Sequence, residues 1–335
     1  MITQNTPATA GAIWVEHEFG ALTEVVVGRP DGLTLPVLTA EMASEIDELN
    51  QLGPEFMTSG QGKLLVDFAP ALAARIATQV EGLAALLQAR GLIVHRPRPL
   101  TEAEQLYPGN GQPGGSLIFM RDPIVVIGDR IIELAMRYPF RRRQKFTLRE
   151  TLQRRAAEAG ALFVAMPEPM PIPMEAGWGD GPFLEGGDVL LNGRHVYVGL
   201  SGHASSALGA AWLQRLLGNG HAVETVAVSK GFIHLDCVLS LPRPGLALAC
   251  LDALPDGLPA SLAGWDVIEV SIDEAKRLGC NGLILDTQTY VMDATHQRLA
   301  EELSKRGTEV ITVPYDAPAM FGGGLRCSHH PLRRT

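Results

Sequence analysis

Phe183-Leu-Glu-Gly-Gly-Asp-Val-Leu-Leu191, Asn192-Gly193 and His195-Val-Tyr-Val-Gly-Leu200 carry the pattern from which the fold is read. Two short apolar runs flank an Asn-Gly dipeptide, which marks a tight turn between strands. Ala204 to Leu217 follows, with Leu208, Trp212 and Leu216 at four-residue steps, the spacing of one helix face. Ala222 to Val228 adds a third apolar run. The unit reads strand, strand, helix, strand.

The same order recurs on both sides. Upstream, Leu117 to Ile127 and Arg130 to Leu134 flank Gly128-Asp129, a helix is expected over Thr147 to Ala159, and Ala161 to Ala165 closes the unit. Downstream, Gly282 to Leu285, Thr289 to Met292, a helix over Thr295 to Arg306 and Glu309 to Val313 repeat it. Looser copies are Phe232 to Leu241 with Leu246 to Cys250 and Val267 to Val270, and Leu22 to Val27 with a helix near Pro70 to Ala89 and Leu92 to His95. Five units result, at approximately 12–98, 116–166, 182–229, 231–271 and 280–335. One such unit cannot bury its apolar faces alone, so repeats close on each other. The expectation is one domain, 1–335, of five modules around a central axis; two ordinary α/β domains are the alternative.

Hydrophobic residues make up 46% of the chain and charged residues 19%, a globular composition that excludes a disordered chain. With 28 Lys+Arg against 37 Asp+Glu the formal charge is −9. Nucleic-acid binding is therefore not expected, because neutralising phosphates takes a clustered basic surface. The cluster Arg137, Arg141, Arg142, Arg143 and Lys145 reads as a solvated helix start with one substrate-binding arginine. No apolar run approaches the roughly 20 residues of a bilayer-spanning helix, and Met1 to Gly11 has no secretory character. Cys237, Cys250, Cys280 and Cys327 show no CxxC spacing, and no Cys/His cluster has the spacing of a zinc site. A cytoplasmic protein with free thiols, no membrane partner and no cofactor or metal is expected. Thr34 to Gly62, Glu102 to Gly115 and Met166 to Gly181 are long and irregular, and are expected to cover one mouth of the ring as lids or specificity walls.

Four short motifs carry candidate chemistry. Phe321-Gly-Gly-Gly-Leu-Arg-Cys327 places a thiol after three glycines, which allow close backbone approach to a ligand. His234-Leu235-Asp236 opens a strand-like segment, where residues two apart share a face. Leu184-Glu185-Gly-Gly-Asp188 puts a carboxylate before a constrained turn, and Phe119-Met120-Arg121-Asp122 another before an apolar run. A packed thiol, a structural His/Asp pair and turn-forming acids explain each one separately. Each motif, however, falls in a different unit, at a strand start or in the last turn. In a closed ring those places converge, bringing together a nucleophile, an acid/base, an orienting carboxylate and an anionic cradle.

In this order, FMRD, EGGDVL, HLD and GGGLRC resemble the motifs of the guanidine-modifying pentein superfamily, which includes arginine deiminases, dimethylarginine dimethylaminohydrolases and amidinotransferases. The resemblance runs from Trp14-Val-Glu-His-Glu-Phe-Gly to Arg334. It implies a five-fold pseudosymmetric α/β propeller. It implies Cys327 as nucleophile, His234 as general acid/base and Glu185 as the carboxylate that orients the histidine. Asp122 and Asp236 match the two carboxylates that grip a guanidinium. Arg141, placed by its spacing from Asp122, matches an arginine that contacts a substrate carboxylate. A covalent amidino-thioether is implied, consumed by an amine in amidino transfer or by water in hydrolysis.

Subfamily signals divide. Ser201-Gly-His-Ala-Ser-Ser-Ala-Leu-Gly-Ala-Ala-Trp-Leu-Gln-Arg-Leu-Leu-Gly resembles amidinotransferases that act on aminocyclitols, whereas Arg326-Cys327-x-x-x-Pro331-Leu332 and Leu-Glu-Gly-Gly-Asp resemble hydrolases. Ser201-Gly-His203-Ala stands where many hydrolases carry a Ser-x-Arg-Thr arginine. Amidino transfer from arginine or a related guanidine to an amine is favoured. Hydrolysis of arginine, methylarginine or another guanidine is the alternative, and a non-enzymatic propeller the second. The partners expected are a small-molecule guanidine and, for transfer, an acceptor amine; a homo-oligomer is left open. His329 and His330, beside Cys327, are not expected to hold a metal, because adjacent residues rarely face one ion.

Overall fold

The computed structural model describes residues 11–37, 51–107, 115–170, 179 and 181–335. Parts of the three stretches expected to act as lids therefore lie outside the described residues.

The fold is mixed α/β, built on five three-stranded sheets of one pattern. In each, a central strand pairs antiparallel with one neighbour and parallel with the other. Strands β3 (Ile124–Ile127), β4 (Arg130–Glu133) and β5 (Leu162–Ala165) form one sheet, with helix Phe146–Ala159 crossing from β4 to β5. The second comprises β6 (Val189–Asn192), β7 (His195–Leu200) and β8 (Ala222–Ala227), crossed by helix Ala207–Leu217. In the third, β9 (Leu239–Arg243), β10 (Leu246–Ala249) and β11 (Asp266–Glu269), the crossover holds two 3₁₀ turns, Leu251–Ala253 and Ala260–Leu262, in place of an α-helix. The fourth is β12 (Leu283–Ile284), β13 (Thr289–Asp293) and β14 (Glu309–Val313), crossed by helix Gln297–Lys305. Helix Pro70–Ala89 joins β1 (Leu22–Val27) to β2 (Ile93–His95) in the fifth. Its third strand is β15 (His329–Arg334), which pairs antiparallel with β1. The chain's last residues, read above as the end of the unit at 280–335, thus complete the sheet of β1 and β2 instead: the C-terminal strand is the antiparallel partner of β1.

Two strand expectations are corrected. Pairing begins only at Val189 and Leu239, and the residues before them turn as 3₁₀ segments, Gly186–Asp188 and Leu235–Cys237. Side-chain carboxylates take the backbone N–H groups there: Gly187 N donates to Asp122 Oδ1 at 3.0 Å and Leu235 N to Asp188 Oδ1 at 3.0 Å. His234 and Asp236 are therefore presented by a turn, not by one face of a strand.

The segments that lead into β3, β6, β9, β12 and β15 are linked in a closed circuit of hydrogen bonds. Gly186 N donates to Asp122 O (3.1 Å), Leu235 N to Asp188 Oδ1 (3.0 Å), Asn281 Nδ2 to Asp236 O (3.2 Å), Cys327 N to Asn281 Oδ1 (3.1 Å) and Arg121 N to Cys327 O (3.0 Å). A buried ion cluster ties the N-terminal segment into it. The Glu18 carboxylate accepts from Arg326 Nε (3.1 Å) and Nη2 (3.0 Å), from Arg121 Nη2 (3.3 Å) and from Leu191 N (3.2 Å). Burial alone pushes the Glu18 pKa up, but Arg326 and Arg121 overcome it and hold it at about 2.

Glu18→Gln leaves two buried guanidiniums short of a counter-charge. It is expected to cost about 3–5 kcal/mol in urea unfolding at neutral pH. A depressed carboxylate stabilises above its unfolded pKa, so the gap between wild type and variant should be full above pH 4.5 and vanish as pH falls through 2. A difference below about 1 kcal/mol at neutral pH, the range of a solvated pair, would refute this role.

Candidate active site

Glu185 enters the site from the turn before β6 and is fully buried. Its backbone N donates to Ser205 Oγ (3.0 Å), and its carboxylate accepts from Arg137 N (3.1 Å), Arg141 Nη1 (3.0 Å) and His234 Nε2 (2.9 Å). The two glycines that follow are demanded by crowding. A Cβ on Gly186 would meet Arg121 O at 2.0 Å, and one on Gly187 would meet His234 Nδ1 at 2.6 Å.

The imidazole of His234 lies between carboxylates. Nε2 is held by Glu185, and Nδ1 is 3.8 Å from Asp122 Oδ1. Burial disfavours its cation, but Asp122, the Glu185 hydrogen bond and Asp188 outweigh burial and raise its pKa to about 10. Asp122 has its own pKa lowered: against burial act His234, Arg141 and the Gly187 N–H. Asp188, which accepts from Ser205 N (3.1 Å) and Leu235 N, is pushed up to about 7 by burial.

Cys327 Sγ lies 3.7 Å from Asp236 Oδ2. Burial, then Asp236 and Asp122, push the thiol well above its usual pKa. Arg326 Nη1 balances Asp236 at 2.9 Å. The resting site thus pairs a neutral thiol with an imidazolium. Binding of a cation between the two aspartates favours ionisation of the thiol.

Asp122, Arg141, His234 and Cys327 line one cavity of about 200 Å³, while Glu185 and Asp236 stand buried against them. The sequence-derived candidates are therefore gathered in one place. Arg141 lies in this group, bonded within the protein. Its guanidinium donates to Glu185 and, through Nη2, to Asp122 at 2.7 Å. Two buried carboxylates so close together need a cation, and Arg141 supplies it. The ligand atoms of Asp122, Glu185 and His234 lie within 4.8 Å of one another, a spacing open to a metal ion. Arg141 and the His234 imidazolium already balance that charge. His329 and His330 bond elsewhere, to Leu325 O and Val126 N. Cys237, Cys250 and Cys280 are buried in the hydrophobic core; Cys237 Sγ nonetheless lies 3.8 Å from Asp236 Oδ1, because the turn brings them together.

Sequence reasoning passed over Asn281, Asp188 and Glu18. Asn281 holds Asp236 and Cys327 together. Its one signal is position, since Cys280-Asn281-Gly282 precedes a strand as the four motifs do.

A family model described as N,N dimethylarginine dimethylhydrolase, eukaryotic, matches residues 117–334, close to two thirds of the chain. The chain belongs to this family. It lies within the guanidine-modifying pentein superfamily. Uncharacterized protein YkgA of Bacillus subtilis is 28% identical over 219 residues, 65% of this chain and 70% of that protein. Inosamine-phosphate amidinotransferase 1 of Streptomyces griseus is 24% identical over 348 residues, covering 96% of each chain. The fold is shared with an amidinotransferase of saxitoxin biosynthesis from Microseira wollei, with TM-score 0.79, 23% identity, and 96% and 97% of the two chains covered.

NMR titration of the His234 ring is expected to give a pKa of about 10 in the wild type. Glu185→Gln removes a bond that favours the cation, so the value should fall toward 6.5. A wild-type His234 that titrates near 6.5 would refute the carboxylate-held imidazolium.

Proposed function

We propose that this protein is a guanidine-modifying enzyme that carries an amidino group on Cys327 and passes it from arginine or a related guanidine to an amine. The observation behind this reading is the guanidinium of Arg141, bonded to Asp122 and Glu185 beside the thiol and the imidazole. The protein's own side chain marks the chemistry this cradle holds: planar, cationic, and bonded through charge-assisted N–H groups. In this reading Asp122 and Asp236 grip the substrate guanidinium.

The steps follow from the protonation states. The bound cation stabilises the Cys327 thiolate, whose proton leaves to solvent. The thiolate attacks the guanidinium carbon, a C–S bond forms, and the charge of the guanidinium is consumed. His234, already protonated, donates to the departing nitrogen, and the C–N bond breaks with release of an amine. A cationic amidino-thioether and a neutral imidazole remain. An acceptor amine then attacks the same carbon and gives a proton to His234. The C–S bond breaks, and a new guanidinium leaves the restored thiolate. With arginine as donor the first product is ornithine. Glu185 keeps the imidazole oriented throughout.

Hydrolysis, with water in place of the acceptor, is the second reading, favoured by the hydrolase family to which the chain belongs. Transfer is preferred because the likeness to amidinotransferases spans nearly the whole of both chains. The closed circuit of five lead-in segments supports a single domain, 1–335, arranged as a five-fold α/β propeller. Among the described residues no helix is long and apolar enough to cross a membrane. Four unpaired cysteines fit a reducing compartment such as the cytoplasm.

Product analysis with guanidine donors, with and without amines, tests the reading. A new guanidine on the acceptor, lost in Cys327→Ala, is the expected result. A urea-type product plus ammonia or alkylamine, unaffected by any amine, would establish hydrolysis instead. Turnover that survives in Cys327→Ala would refute the nucleophile.

A further inference from the structure

The turn that carries Cys327 is clasped by one buried residue of another sheet. Asn281 precedes β12, and its main-chain O accepts from Arg326 N at 3.0 Å. Its Oδ1 accepts from Cys327 N (3.1 Å), and its Nδ2 donates to Asp236 O (3.2 Å). The third glycine of GGGLRC serves this approach, since a Cβ on Gly324 would meet Asn281 Oδ1 at 2.8 Å. A carboxamide has two N–H groups, and Asp236 O takes one. The second remains for the sulfur of the residue whose backbone the same amide holds.

The sulfur has need of it. Burial, Asp236 and Asp122 all oppose the thiolate, and against them act two neutral groups, the Gly324 N–H and the Asn281 side chain. Other groups face the sulfur as well. Arg121 and Arg141 attract its charge but are committed to Glu18 and to Asp122 and Glu185. The His234 imidazolium lines the same cavity, while Cys237 and Tyr315, their pKa values raised by burial, stay neutral nearby. A further cation at position 281 would compete with a guanidinium for Asp236. An amide stabilises the anion through its dipole and leaves that carboxylate to the substrate.

We propose that Asn281 is a further catalytic residue, whose carboxamide holds the Cys327 backbone through Oδ1 and donates from Nδ2 to the sulfur as the thiolate forms. The proposal rests on the guanidine-modifying reading given above, in which that thiolate is the nucleophile.

Iodoacetamide is neutral and leaves the charges of the site as they are. Its rate with Cys327, followed by mass spectrometry so that the four thiols are resolved, reads the thiolate without turnover. Asn281→Leu is close in size and brings no donor. It should slow alkylation of Cys327 at neutral pH about threefold or more: losing a hydrogen bond to a charged group raises the pKa, and the more basic thiolate returns only part of the rate. With a guanidine donor kcat should fall at least as far. Asn281→Ser, which keeps a donor on a shorter side chain, should lie between, and it decides the matter if near-UV circular dichroism shows the leucine variant unfolded. A residue that only braces the turn predicts the opposite sign, because a loosened turn admits water to the sulfur and relieves the burial that keeps the thiol neutral. Alkylation as fast as in the wild type, or faster, in the leucine variant (or in the serine variant where that alone folds) would overturn the proposal and leave the guanidine-modifying reading standing. Absence of wild-type turnover with every guanidine donor would overturn that reading, and a catalytic role for Asn281 with it.

Discussion

Backbone and side-chain hydrogen bonds that join five strand-entry segments into one circuit hold the reactive groups of this protein in place. Asp122, Glu185, His234 with Asp236, Asn281 and Cys327 each precede the antiparallel edge strand of a different sheet. Separately, each segment is a short turn with buried polar groups that a ladder cannot satisfy. Joined, each supplies what its neighbour lacks: Asp122 accepts from the glycine turn after Glu185, Asp188 caps the turn after His234, and Asn281 bridges Asp236 to Cys327. The glycines of EGGD follow from this, because a Cβ would strike the next segment of the circuit.

The same arrangement creates an electrostatic problem, and its solution sets the chemistry. Glu18, Asp122, Glu185, Asp188 and Asp236 are all buried, and buried carboxylates require cations or protons. Arg121 and Arg326 answer Glu18, Arg326 answers Asp236, and Arg141 with the His234 imidazolium answers Asp122 and Glu185. The Cys327 thiol, by contrast, is held in the neutral form by burial and then by Asp236 and Asp122. In the proposed scheme the nucleophile is thereby kept quiet until a cation arrives, its reactivity would be coupled to the presence of the substrate itself, and the imidazolium would be ready as an acid at neutral pH.

Much of this was legible in the sequence where periodicity or motif order governs. The crossover helices lie close to the expected ranges, Phe146–Ala159 and Pro70–Ala89 among them, because local apolar spacing fixes them. The four motifs converge as their position before strands suggested. Long-range or electrostatic features were not legible. The pairing of His329–Arg334 with Leu22–Val27 spans the whole chain and has no local signature. Glu18 sits in a motif already noted, yet nothing nearby reveals that it meets Arg121 and Arg326. The bonds of Arg141 to Asp122 and Glu185 were not legible either, since the need of two internal carboxylates for a cation emerges only once they are side by side.

Covalent chemistry at Cys327 is open to one direct measurement. The full chain is mixed with a guanidine donor in the absence of acceptor, quenched in acid during turnover, digested and analysed by mass spectrometry. The peptide that holds Cys327 should gain the mass of one amidino group, and those that hold Cys237, Cys250 and Cys280 should be unchanged. Turnover with the amidino group found on another cysteine, or with Cys327 unmodified throughout, would contradict it.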